Sequence, residues 1–150
     1  MIKGRIEDDT KAALLGGDRV AIETLRGLKA ALLNEEVALG VREAGLSDEQ
    51  AEKVIAREVK KRRESARMYR DNDRAELAES EEAEIEILSR YLPKQLSDEE
   101  LNALVCTVID ELGASGPQAM GQVIGAVKQR VGTAVDGARL AQTVKTQLSK

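Results

Sequence analysis

The sequence contains no histidine, no tryptophan and no phenylalanine, and only two tyrosines, two prolines and one cysteine. Without histidine it lacks the commonest neutral-pH general base. That removes Ser-His-Asp and Cys-His catalysis and most zinc sites. With Tyr69 and Tyr91 as the only aromatics, Leu, Val, Ile and Ala must fill the core. This suits helix-on-helix packing and argues against a large aromatic-lined pocket. The lone Cys106 cannot close an internal disulfide. Its place beside Val105 in a helical pattern predicts an inert thiol in or next to the core. One cysteine and no signal peptide predict a reducing, cytoplasmic home. No apolar run approaches the ~18 residues of a membrane span, so no membrane contact is expected. Neither a P-loop nor a GxGxxG following a strand is present. The acidic pairs Glu35-Glu36 and Glu81-Glu82 form no ligand constellation, so no metal and no cofactor is expected.

One third of the residues are charged, and the net charge is −4. Such balance describes a solvated helical surface and leaves room for a local basic site. The apolar residues recur at helical spacing throughout, so the fold class is all-α. A first helix is expected over 2–16, with Ile6, Ala13 and Leu14 near one side, stopped by Gly16-Gly17. Asp18 can cap a second helix over 19–39, whose ridge is Ile22, Leu25, Leu28 and Leu32. After a loop through Gly45, Ser47 and Gln50 stand at capping-box spacing. They open a long helix to about Asn72, buried along Ala51, Val54, Ile55, Val59, Ala66 and Tyr69. A fourth helix, about 74–92, turns Leu77, Ile85, Leu88 and Leu92 inward. The short corner between the last two makes them an antiparallel hairpin.

Charge supports that pairing. Residues 57–70 carry seven basic and two acidic side chains, net +5, whereas residues 71–100 carry eleven acidic and three basic, net −8. The acidic helix is expected to answer part of the basic run. The remainder, Lys60, Lys61, Arg63 and Arg67, is a secondary basic face for RNA or a partner.

Pro93 divides the chain into an N-terminal four-helix module, 1–93, and a small three-helix domain, 94–150. Proline lacks the N–H that a continuing helix needs and pushes its predecessor out of helical backbone. Ser97 and Glu100 then repeat the capping-box spacing, with Asp98, Glu99 and Glu100 placing negative charge in the first turn. Three helices follow, about 97–112, 117–131 and 137–149. Their ridges are Leu101, Leu104, Val105, Val108 and Leu112; Met120, Val123, Ile124, Val127 and Val131; and Leu140, Val144 and Leu148. A core of this size is small but sufficient for independent folding. Gly121 and Gly125 lie inside the second of these helices. Glycine there costs about 1 kcal/mol against alanine. Close packing of another helix is the expected compensation, and a close phosphate approach is the alternative.

The runs LRGLKAALLNEE (25–36), REVKKRRESARMY (57–69), EIEILSRYLPKQLSDEEL (84–101) and QAMGQVIGAVKQRVGTAVDGARLAQTVKTQL (118–148) occur in the order and spacing of the YqeY-like proteins, and the chain resembles that family over nearly its whole length. The resemblance implies that the C-terminal unit is similar to the tail of the B subunit of the glutamyl/aspartyl-tRNA amidotransferase, a helical domain that touches tRNA. The motif positions are Pro93, Ser97, Gly121, Gly125, Asp136 and Gly137. One departure stands out: the loop before the Asp136-Gly137 pair, residues 132–135, carries no charge.

On that resemblance the candidate nucleic-acid residues are Lys128, Arg130, Arg139 and Lys145, gripping phosphates of a folded RNA by shape. No aromatic residue follows Tyr91, so base stacking is not expected in the tail. The leading expectation is a non-catalytic, tRNA-binding accessory protein related to tRNA-dependent transamidation. The second is a helical adaptor that binds a protein partner through its N-terminal helices, without RNA. The third, carbon–nitrogen ligase activity with glutamine as amide donor, follows from the shared domain alone; no nucleophile–base pair or nucleotide loop stands behind it.

Overall fold

The computed structural model describes residues 1–150. Seven α-helices account for most of the chain: α1 (Ile2–Gly16), α2 (Arg19–Leu39), α3 (Asp48–Asp71), α4 (Ala75–Ser89), α5 (Asp98–Leu112), α6 (Met120–Val131) and α7 (Gly137–Leu148). Short 3-10 turns, Pro117–Ala119 and Gly132–Ala134, precede α6 and α7, and there is no strand. The fold is all-α. The chain divides into two compact units, Met1–Leu92 and Pro93–Lys150.

Side-chain caps set three of the seven helix starts. Asp18 accepts a hydrogen bond from the Ala21 N–H at 3.1 Å. At α3 the full reciprocal box forms: the Gln50 N–H donates to Ser47 Oγ at 3.1 Å, and the Ser47 N–H donates to Gln50 Oε1 at 3.0 Å. At α5 only half of the expected box is present: Ser97 Oγ accepts from the Glu100 N–H at 3.1 Å, and no return bond from the Glu100 side chain forms. Gly40 closes α2 in left-handed backbone, φ 67°, a conformation that costs glycine no Cβ clash.

The first unit packs α1–α4 around Ile6, Leu25, Leu28, Ile55, Val59 and Leu88. Several expectations about its buried face need correction. Leu14 is 51% exposed, because α1 turns Ile2, Ile6, Thr10 and Ala13 inward instead. In α4, Leu77 and Ile85 are only half-buried, while Ala78, Ile87 and Leu88 are buried. α4 also ends at Ser89, short of the expected Leu92. The N–H groups of Arg90, Tyr91 and Leu92 each donate to the carbonyl three residues back, at 3.2–3.4 Å. This 3-10-type tightening before Pro93 rotates Tyr91 into the core at 4% exposure, and Leu92 is left half-buried. The Tyr91 hydroxyl donates to Asp9, and the Arg5 guanidinium stands 5.2 Å from its ring centroid. Tyr69, expected inside, is half-buried.

Glu36 is the one buried carboxylate, 3% exposed. Lys3 Nζ donates to it at 2.8 Å, and the Leu46 N–H also reaches it, so Glu36 ties the 40–47 loop to α1 and α2. The Lys3 ammonium holds its carboxyl below the usual carboxylate range.

The second unit packs α5–α7 around Leu101, Val105, Val108, Val123, Val127, Leu140 and Val144, each at most 1% exposed. Its leading segment is stapled to the turn before α7. Gln95 Nε2 donates to the Thr133 carbonyl at 2.9 Å, and the Leu96 N–H donates to the Ala134 carbonyl at 2.9 Å. Cys106 is exposed rather than in or beside the core, because its neighbour Val105 takes the inward position a third of a turn away. Its thiol lies 3.2 Å from Gln147 Oε1. Leu112, at the last position of α5, is 39% exposed.

Candidate nucleic-acid interface

Helix α6 buries Val123 and Val127 completely. Residues two places from these lie about 200° around the helix. Gly121, Gly125 and, one turn on, Lys128 therefore share the opposite face, and all three are exposed. A Cβ added at Gly121 or Gly125 would meet nothing within 4 Å. The expected close packing of another helix against them is thus corrected: within this unit nothing approaches them. Gln118, Gln122 and Gln129 are exposed as well. No Asp or Glu occurs anywhere from Gly113 to Val135. In a chain one-third charged, this helix presents a carboxylate-free face with bare backbone along its middle, amide side chains beside it and one ammonium group.

The other tail cations lie elsewhere and are engaged differently. Arg130 pairs with Glu111 of α5. Arg139 is a fold-holding residue: its Nη2 donates to the Leu96 carbonyl at 2.6 Å, and its Nε lies 3.2 Å from Asp98 Oδ1. It thereby fixes the start of α5 to the start of α7. Lys145 is exposed on α7, away from the buried Leu140 and Val144. Asp136 and Gly137 open α7 as N-cap and first helical residue. Of the four basic candidates, Lys128 alone shares the open glycine face.

In the first unit, α4 answers part of the basic run of α3. Arg62, 18% exposed at the side chain, donates through Nε to Glu84 at 3.0 Å and through Nη1 to Glu58 at 2.8 Å. Burial works against its charge, but the two carboxylates outweigh burial and hold its pKa above the ordinary value. Arg70 grips both oxygens of Glu82 at 2.8 Å each. Arg57 pairs with Glu35 of α2 at 2.9 Å. Lys60, Lys61, Arg63 and Arg67 are all exposed, and Lys61 comes only within 3.8 Å of Glu58. Sequence reasoning passed over Gln118, Gln122, Gln129 and Arg70. The signal for the glutamines was the unbroken absence of acidic residues from 113 to 135.

The family described as Yqey-like protein matches residues 3–148 of this chain. The chain belongs to the YqeY-like family. Among its relatives is Altered inheritance of mitochondria protein 41, mitochondrial, from several fungi. The protein of Lachancea thermotolerans is 29% identical over 75% of this chain and 60% of its own length. That of Kluyveromyces lactis is 30% identical over 81% of this chain and 66% of its own length. That of Pyrenophora tritici-repentis is 24% identical over 94% of this chain and 77% of its own length. This YqeY-like chain thus spans less than two thirds of the first of these relatives. The names also correct the cytoplasmic expectation: each of these relatives is named as a mitochondrial protein. A single cysteine does not separate one reducing compartment from another, so it carried no information on this point.

Proposed function

We propose that this YqeY-like protein is a non-catalytic accessory protein that contacts tRNA through the outer face of α6. One observation carries the reading. Gly121 and Gly125 weaken their own helix, yet nothing within their unit packs against them. A partner that brings its own backbone close to the helix would repay that cost, and RNA phosphates and 2′-hydroxyls do so. Lys128, the flanking glutamines and the missing carboxylates make the same face acceptable to a polyanion. The resemblance of the tail to that of the amidotransferase B subunit points to tRNA as the RNA. The relatives are named for mitochondrial inheritance rather than for a reaction, in keeping with an accessory role.

The test is tRNA binding by the full chain at two salt concentrations, for the native sequence and for Gly125→Glu with Lys128→Gln. Binding that weakens with salt and falls at least tenfold in the variant supports the assignment. Equal binding by both proteins would place the contact elsewhere.

A second reading, a protein adaptor, is favoured by the corner between α1 and α2, where Leu14, Leu15 and Val20 are 51%, 91% and 46% exposed. In that reading Leu15→Asp releases the partner and leaves tRNA binding unchanged.

A further inference from the structure

We draw no further inference here: the strongest candidate, the groove of about 170 Å³ between α1 and α2 beside Ile6, Leu32 and Leu33, carries nothing because its one buried charge, Glu36, is already met by Lys3 and nothing in the structure shows what would fill it.

Discussion

Alanine at Gly121 and Gly125 should make the protein more stable and a poorer RNA binder. Glycine in a helix interior costs about 0.5–1 kcal/mol relative to alanine, mainly because it surrenders more backbone freedom on folding. That gain is realised only where the new methyl group has room. At both positions the space around an added Cβ is empty to 4 Å, and neither glycine has positive φ. Gly125 lies mid-helix and should return the full amount; Gly121, next to the start of α6, should return less. Together they give about 1–1.5 kcal/mol. For a unit of this size each kcal/mol raises the midpoint by about 4–8 °C, so the tail transition should move up by roughly 5–10 °C. Differential scanning calorimetry of the full chain measures the shift, and amide exchange along α6 assigns it. Destabilisation would refute the reasoning outright, since it means that the protein itself packs something against these glycines. Stabilisation with undiminished tRNA binding would leave the open face intact but take away its function. A gain in stability paired with a loss in binding is the signature of a helix kept weak for a ligand.

Three further substitutions test the first unit. Arg62→Ala strips Glu58 and Glu84 of their shared partner; with the side chain 18% exposed, the loss should be about 2 kcal/mol by urea unfolding, below the 3–5 kcal/mol of a fully buried pair. Tyr91→Phe removes the hydroxyl that donates to Asp9 and should cost about 1 kcal/mol in the same assay. Burial, and then Asp9, push the Tyr91 phenol upward from 10.0, so the stability it adds is complete below about pH 10 and is lost as pH rises through the folded value. For Glu36 the sign is opposite. Its folded pKa lies below 4.5 because of Lys3, so its contribution is present above pH 4.5 and is lost as pH falls through the lower, folded value. Urea midpoints between about pH 3 and pH 6 should show an acid limb that Glu36→Gln flattens; an unchanged limb would mean that Glu36 does not carry it.

Local signals in the sequence located the helices well and their inward faces less well. Asp18, Ser47 and Ser97 each cap the helix that their spacing announces, because an N-cap depends on residues only three places away. The buried face of α4 depends on distant chain. Leu77 is a larger apolar side chain than Ala78, yet Ala78 takes the deeper position. A small residue where α4 meets its neighbours lets the helices come close, and that preference is invisible to a reading that ranks positions by hydrophobicity. The tightened end of α4 acts similarly: hydrogen bonds to the carbonyls three residues back, not four, change the angle at which Tyr91 leaves the helix.

The candidate site shows the same division more sharply. A sequence says which residues are cationic; it does not say which cations are already engaged. Arg130 and Lys128 are two residues apart in α6, but about 200° of rotation sends one to Glu111 and the other to the open glycine face. Arg139 carries the same formal charge and holds two helix starts together. On α3 the sorting continues, with Arg62 and Arg70 drawn to α4 and Arg67 left exposed. A net charge of −4 is therefore no measure of affinity for RNA. What matters for such a contact is where the carboxylates are absent, as along α6. A polyanion at α6 would meet that surface and not the average of the molecule.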